Sequence, residues 1–330
     1  MKAAYIVQTG EPDVIQYGDL PTPEPEPHQV LVRVRAVSVN PIDTYIRSGM
    51  IPFELPKPYI IGCDFAGTVE ATGSEVTRYK PGDRVWGSNQ GLLGRQGTFA
   101  QYVAVNEAWV YRTPTGVDDE EVAALALVGI TAHLGLFEKA RLKRNETIFV
   151  AGGSGGVGSV VIQMAKLAGA RVITSAGNEA KVEICRELGA DEVIRYRERD
   201  LAEAVRQLAP EGVHVWFDVR REPDFMQAVP LLRPSGRMVI MAGRDATPAF
   251  PVGPFYTRDC KLFGYAMFNA TSEKQRECAE DINHWLSERK LRANICKTMK
   301  LAEAAEAHRI QEENTIHHAG KLSGKIVLTP

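Results

Sequence analysis

A chain of 330 residues, 44% hydrophobic and 24% charged, suggests about two domains, each long enough to bury its own core. A formal net charge of -2 excludes a general basic field that would draw the chain to nucleic acid or to an anionic membrane. Five cysteines, Cys63, Cys185, Cys260, Cys278 and Cys296, are scattered, odd in number and never spaced C-x-x-C, which argues against a disulfide framework and a structural zinc knuckle.

The N-terminus, Met1-Lys2-Ala3-Ala4-Tyr5, reaches Gly10 and Pro12 before a signal-peptide core could form, so a cytoplasmic location is expected. To about Asp119 the chain is proline-rich and strand-like. Ala3 to Val7, Val30 to Val39, Ile60 to Glu70, Arg84 to Trp86 and Phe99 to Val105 are β-branched or aromatic runs between Pro and Gly clusters. Gln29 to Arg35 alternates, as a strand with one packed and one wet face does, which suggests an antiparallel, partly barrel-like module. Glu24-Pro25-Glu26-Pro27 reads as a stiff surface loop. The apolar run Val122 to Phe137 is shorter than the roughly 18 residues of a membrane span and reads as a buried helix.

Beyond Glu120 the period changes from two to 3.6. Short apolar runs at Thr147 to Val150, Arg171 to Thr174, Glu192 to Ile194, Val213 to Phe217, Arg237 to Met241 and Lys261 to Tyr265 alternate with helical patterns. Those patterns cover Val160 to Ala168, Ala180 to Leu188, Leu201 to Leu208 and Phe225 to Leu232. Six strands with intervening helices make an α/β, doubly wound parallel sheet. After Phe268 come a solvated amphipathic helix, Ser272 to Lys290, another from Leu301 to about Glu312, and a closing strand, Lys325 to Leu328. This tail is assigned to the first domain, which periodicity alone does not establish.

The centre of the second half is Ala151-Gly152-Gly153-Ser154-Gly155-Gly156-Val157-Gly158, between a strand and a helix. Gly153, Gly155 and Gly158 fit the dinucleotide fingerprint G-x-G-x-x-G. Residues without Cβ let the turn take positive φ and let backbone amides approach a pyrophosphate, which the helix N-terminus attracts. In an NAD-preferring unit an Asp or Glu ends the second strand and binds the adenosine ribose. Here Val172-Ile173-Thr174-Ser175 runs into Ala176-Gly177-Asn178, and Glu179 lies beyond. A small neutral pocket is left where NADPH carries its extra phosphate, with Lys181 a helical turn on and Tyr196 ending the third strand. Lys181 is either a phosphate ligand or a surface lysine.

Further stretches carry a resemblance: Val39-Asn40-Pro41-Ile42-Asp43-Thr44-Tyr45-Ile46-Arg47-Ser48-Gly49, Gly62-Cys63-Asp64-Phe65-Ala66-Gly67-Thr68-Val69, Pro81-Gly82-Asp83-Arg84-Val85, Leu188-Gly189-Ala190-Asp191 and Gly324-Lys325-Ile326-Val327-Leu328. With the glycine turn, their order and spacing make the whole chain resemble the medium-chain dehydrogenase/reductase superfamily, in its zinc-free quinone oxidoreductase (zeta-crystallin-like) branch. The resemblance implies a chaperonin-10-like (GroES-like) β domain, residues 1–122 and 266–330, and a Rossmann domain, residues 123–265, with an active cleft between them. It implies that Asn40, Asp43 and Tyr45 line that cleft, Asn40 orienting the nicotinamide ribose or a substrate oxygen and Tyr45 donating a proton. The competing readings are that Asp43 only holds a turn and Tyr45 only packs. Cofactor contacts are implied for Asn40, Thr131, Ser154, Gly155, Gly156, Val157, Gly177, Lys181, Tyr196, Met241, Gly243 and Lys325, with Gly177, Lys181 and Tyr196 on the 2'-phosphate of NADPH. A homodimer is implied, through the sixth Rossmann strand around Phe263 to Ala266.

Departures from the family narrow the chemistry. Zinc-dependent relatives place a Cys where Asn40 stands and a His where Cys63 stands, and Leu125 to Gly129 supplies no third ligand. A catalytic zinc needs three protein ligands, so no metal is expected. The short Ser88 to Gly97 segment replaces a cysteine-rich structural-zinc lobe, and His317-His318 reads as a solvated pair. A hydride from NADPH needs an electrophilic carbon, and quinones and conjugated enones delocalise the added charge without a Lewis acid. An NADPH-dependent quinone or enone reductase is therefore expected. The alternatives are an enoyl-thioester reductase, hinted at by Arg220 and Arg221, and a zeta-crystallin-like RNA-binding or structural protein, which the acidic balance does not support. Val219-Arg220-Arg221-Glu222 stands where relatives carry a Val-Gly-Gly-like turn. Arginine there either limits backbone approach or adds charge for a phosphate or an acidic substrate, and both readings stay open. Met50-Ile51-Pro52, where many relatives carry a tyrosine before the proline, predicts an apolar substrate entrance.

Overall fold

The β-branched and aromatic runs of the first third become strands that bury one or both faces. The structure is a computed structural model and describes residues 1–317 and 319–330. The strands are β1 (Lys2–Ile6), β2 (Gln16–Asp19), β3 (Gln29–Ser38), β4 (Tyr59–Ile60), β5 (Phe65–Thr72), β6 (Arg84–Gly87), β7 (Tyr102–Asn106) and β8 (Val110–Arg112). Helix α1 (Pro41–Ser48) follows β3, and α2 (Asp119–His133) follows β8. There follow β9 (Thr147–Ala151), α3 (Gly156–Leu167), β10 (Arg171–Ala176), α4 (Glu179–Glu187), β11 (Glu192–Arg195), α5 (Leu201–Leu208) and β12 (Val213–Asp218). The remainder is α6 (Phe225–Ala228), β13 (Leu232–Ile240), α7 (Val252–Tyr256), β14 (Lys261–Gly264), α8 (Ser272–Ser287), β15 (Ile295–Lys300), α9 (Ala304–Thr315) and β16 (Lys325–Thr329).

These elements gather into two units, Met1–Leu127 with Ala270–Pro330, and Val128–Asn269. In the first, β3 is the spine and pairs antiparallel with β5, β7 and β16. Its main sheet runs β15-β16-β3-β5-β6-β8, beside a three-stranded sheet β2-β1-β4. In the second unit all strands are parallel in the order β11-β10-β9-β12-β13-β14, the doubly wound arrangement whose order reverses between β9 and β12. Parallel strands are covered on both faces, which is why β9 and β12 read as continuous apolar runs. Phe149 and Trp216 stack between those strands with ring centroids 4.1 Å apart, at the centre of that unit's core.

Three expectations are corrected. The buried helix is longer than its apolar run: α2 continues through a π-turn segment, Leu134–Lys139, so the helical stretch Asp119–Lys139 spans 21 residues. That stretch is long and apolar enough to cross a membrane, but 72% of its apolar window is buried inside the protein, as in a core helix. The predicted helix Phe225 to Leu232 stops at Ala228 because Pro230 lacks an N–H for the next turn; a 3-10 turn, Val229–Leu231, leads directly into β13. The tail also carries a strand not predicted, β15, whose side chains are mostly exposed.

The tail is fastened by charge as well as by strand pairing. Arg47 in the last turn of α1 has a fully buried side chain that donates to Gly10 O and to the Glu312 carboxylate of α9. Deleting one partner strands the other charge in a dry setting, at a cost of roughly 3–5 kcal/mol. Glu312→Leu is expected to lower unfolding stability by about 3 kcal/mol, and Arg47→Met with Glu312→Leu together by less than the sum of the two single changes. Urea unfolding of the four proteins in a double-mutant cycle measures this; additive losses would show that the pair is not coupled.

Candidate active site

The glycine turn is shaped by close approach more than by unusual dihedrals. Within the run 152–158 only Gly152 takes a positive φ, +88°, so that role falls to a residue outside the fingerprint triplet. A Cβ on Gly153 would lie 2.2 Å from Thr174 Oγ1, and one on Gly158 would lie 2.1 Å from Gly152 O. Glycine at these two positions lets the turn and α3 press against β10 and against each other. Gly155 is the N-cap of α3, and the first bond after it runs from Ser159 N to Gly155 O at 3.0 Å. The amides of Gly156, Val157 and Gly158 therefore precede the hydrogen-bonded ladder and, with Ser154, form a helix N-terminus suited to an anion.

The next strand supplies a second anion-compatible end. β10 stops at Ala176, Gly177 follows, and Asn178 caps α4 by accepting Lys181 N at 3.0 Å, so no carboxylate occupies the strand end. A Cβ on Gly177 would lie 2.6 Å from Tyr196 Oη, so the phenol reaches over this glycine. Lys181, half-buried in the first turn of α4, has its pKa pulled down by burial and by the like charge of Arg197. The structure thus brings Gly177 and Tyr196 into contact beside the cap that carries Lys181.

Three other predicted cofactor residues lie in the same unit. Thr131 is buried; its carbonyl accepts Tyr265 Oη at 2.5 Å, while its own Oγ1 has no protein partner among the described residues. Met241 and Gly243 follow β13, and Gly243, with φ +88°, has its Cβ position 2.6 Å from Arg221 O. Close-packed glycines, exposed helix amides and an orphaned buried hydroxyl together fit a dinucleotide.

In the first unit Asn40 is the hub. Its Nδ2 donates to Asp64 Oδ2 at 2.8 Å, its Oδ1 accepts Lys325 Nζ at 2.5 Å, and its backbone N donates to Asp43 Oδ2 at 2.8 Å. The last bond is half of a capping box that starts α1, with Pro41 in the first turn. Lys325 also donates to Val39 O at 2.7 Å, so its ammonium is engaged with protein oxygens. Asp64 further accepts Ser38 Oγ at 2.8 Å and Ser88 Oγ at 2.6 Å. Asn40 and Asp43 are 0% and 1% exposed, whereas Tyr45, further along α1, is half-buried. Asp64, Ser38 and Ser88 were not predicted; the available signal was an acid, Asp64, inside the otherwise apolar run Ile60 to Val69.

Burial sets the protonation of this network. It raises Asp64, against the Lys325 charge and three hydrogen-bond donors, and lowers Lys325, against Asp64 and Asp43. The Cys63 thiol is pushed well above its ordinary value by burial and the two carboxylates. Among the described residues no group of three or more His, Cys, Asp or Glu is arranged to hold a metal; His318, of the predicted solvated pair, lies outside them.

Two family models match, the alcohol dehydrogenase GroES-like domain over residues 26–115 and the zinc-binding dehydrogenase over residues 156–285. Quinone oxidoreductase of Homo sapiens is 31% identical over 330 residues, covering 99% of this chain and 97% of that protein. The chain belongs to the medium-chain dehydrogenase/reductase superfamily, in its zinc-free quinone oxidoreductase branch. Within that superfamily, a solved structure described as an NAD-dependent alcohol dehydrogenase matches with TM-score 0.91 at 30% identity over 100% of both chains. Quinone oxidoreductase of Escherichia coli complexed with NADPH matches with TM-score 0.88 at 25% identity, also over 100% of both.

Asp43 yields a pH test. Burial pushes its carboxyl up from 3.8 to about 7, with Asp64 adding to the rise and Cys63, the Asn40 amide and Lys325 opposing it. Between those values the folded state holds more protons than the unfolded chain, so the stability from this carboxyl is complete below about pH 4 and lost as pH rises through about 7. The melting-temperature advantage of wild type over Asp43→Asn is expected to shrink across that window. A difference independent of pH would show that Asp43 ionises like an exposed carboxyl.

Proposed function

We propose that this protein reduces an electron-poor quinone or conjugated enone with NADPH and without a metal. The observation that carries the reading is the exchange at residue 40. Where zinc-dependent relatives carry a cysteine, this chain has an amide hydrogen-bonded to the Lys325 ammonium and the Asp64 carboxylate. A substrate that spreads added charge over a conjugated carbonyl system does not need a Lewis acid at that position.

NADPH, when bound, supplies the hydride. The amides of Gly156 and Val157, with Ser154 and the close-approaching Gly155, hold the pyrophosphate at the N-terminus of α3. Gly177, Lys181 and Tyr196 hold the 2'-phosphate, which the absence of an acid after β10 leaves room for. Thr131, Met241 and Gly243 serve the nicotinamide half, and Asn40 and Lys325 are the further cofactor contacts proposed. Lys325 and Asp64 fix the Asn40 amide so that it does not rotate, and Asp43 holds the first turn of α1. Hydride addition to a quinone leaves a hydroquinone monoanion that takes up one proton, and Tyr45 Oη is assigned as the donor on the protein side. In this reading residues 1–122 and 266–330 carry catalysis and residues 123–265 the cofactor. The protein acts in the cytoplasm as a homodimer joined through β14, which lies at the edge of its sheet. The enoyl-thioester alternative loses its motivation at Arg220, whose charge is neutralised by Asp218.

A charge-assisted hydrogen bond contributes roughly 1.5–3 kcal/mol, so Lys181→Ala is expected to weaken NADPH about tenfold to a hundredfold and to leave NADH almost unchanged. Titration of both cofactors at fixed ionic strength tests this; equal losses, or a wild type that prefers NADH, overturn the 2'-phosphate assignment. In a screen with a strong chelator present, turnover of a quinone or enone is expected, with negligible oxidation of simple alcohols at neutral pH. Alcohol oxidation lost together with a tightly bound zinc would overturn the metal-free reading.

A further inference from the structure

The turn after β12 lies beside the crevice where the strand order reverses. Val219 N donates to Ala151 O at 3.4 Å, and a Cβ on Gly152 would meet Val219 Cγ2 at 2.8 Å, so this turn packs on the start of the glycine turn. Its far side is the Arg221 carbonyl, pressed against Gly243. Arg220, between them, folds back onto its own strand. Nε donates to Asp218 Oδ1 at 2.9 Å and Nη2 to Asp218 Oδ2 at 2.6 Å, while the Arg220 backbone N donates to Oδ1 at 3.0 Å. Asp218 is fully buried and also accepts Trp216 Nε1 at 3.3 Å. Two parallel bonds fix the plane of the guanidinium, yet 35% of the Arg220 side chain remains exposed. In the strand order β10-β9-β12 the turn after β12 stands two strands from the end of β10, where Gly177 lies under the Tyr196 phenol.

We propose that Arg220 is the stacking surface for the adenine ring of the cofactor, an inference that rests on the dinucleotide reading above. The pyrophosphate belongs at the N-terminus of α3 and the 2'-phosphate at Gly177, Lys181 and Tyr196. The adenine is attached to that same ribose and must lie within a few ångströms of it. Asp218 neutralises the guanidinium, so a phosphate gains little from Arg220. The face of a nucleobase gains more, because a guanidinium paired edge-on to a carboxylate still offers its planar delocalised face for stacking. The ion pair has already frozen the side chain, so stacking loses little rotamer entropy. Both readings of the Arg220-Arg221 pair left open by the sequence thus give way to a third: the ligand approaches a side-chain plane instead of a glycine backbone.

The test is binding of NADPH, NADH and 2',5'-ADP to the full chain, by titration of wild type, Arg220→Ala and Arg220→Lys. All three ligands carry adenine, so Arg220→Ala is expected to weaken them by a common factor of about fivefold to tenfold. Arg220→Lys keeps the charge but loses the plane, and is expected to lose as much. Unchanged affinities in Arg220→Ala, or wild-type affinities in Arg220→Lys, overturn the proposal. A wild type that binds none of the three overturns the dinucleotide reading instead. Because Arg220→Ala strands a buried carboxylate, Arg220→Ala with Asp218→Asn is measured alongside, with melting curves. The same loss of affinity at a wild-type melting temperature supports stacking, and recovery of wild-type affinity overturns it.

Discussion

A lysine ammonium buried beyond the reach of bulk water stays charged only while oxygen atoms surround it, and in the first unit that constraint organises everything near Asn40. Lys325 takes the Asn40 amide oxygen and the Val39 carbonyl, which turns the amide nitrogen toward Asp64 and fixes which end of the side chain faces which partner. Asp64 in turn draws in two serine hydroxyls, one at the end of β3 and one just past β6. A group that rotates freely in water is held here in one orientation by hydrogen-bond partners on both sides. Such a network is strong when complete and costly when any member is missing.

The second unit depends on sterics where the first depends on charge. Its glycine turn brings the backbones of β9, α3 and β10 closer than any side chain would permit, and it is this packing that leaves amides uncovered at one point on the surface. Gly177 and Gly243 do the same for the ends of β10 and β13, where Tyr196 and the Arg221 carbonyl occupy the space of a side chain. The ends of five strands are thus tied to one another by contacts that each require a missing Cβ or a specific polar partner.

Much of this was legible in the chain. The central parallel strands of the second unit, β9 and β12, announce themselves because burial on both faces makes them largely apolar, and the glycine turn has correct flanks. β2 and β15 were invisible for the opposite reason: their side chains are mostly exposed and leave no periodic trace. Helix α1 carried a readable signal, Asn40 followed by Pro41 and Asp43, which is a cap, a first-turn proline and a reciprocal acid. Asp64 and Ser88 could not be assigned from spacing, since Asp64 meets Asn40, and Ser88 meets Asp64, only after β3, β5 and β6 have paired. Arg220 was visible as an oddity, but its pairing with Asp218 decides its character, and that pairing is a matter of side-chain geometry.

The pairing of β3 with β16 bears on the order in which the molecule can assemble. Val37 and Ser38 are opposite Leu328 and Val327, so the end of the spine of the first unit finds its partner in a strand almost three hundred residues further on. During synthesis the second unit, Val128–Asn269, has emerged whole while that end of the strand is still uncovered. An uncovered strand edge is a template for pairing with other chains, so the nascent protein carries this liability until its last strand arrives.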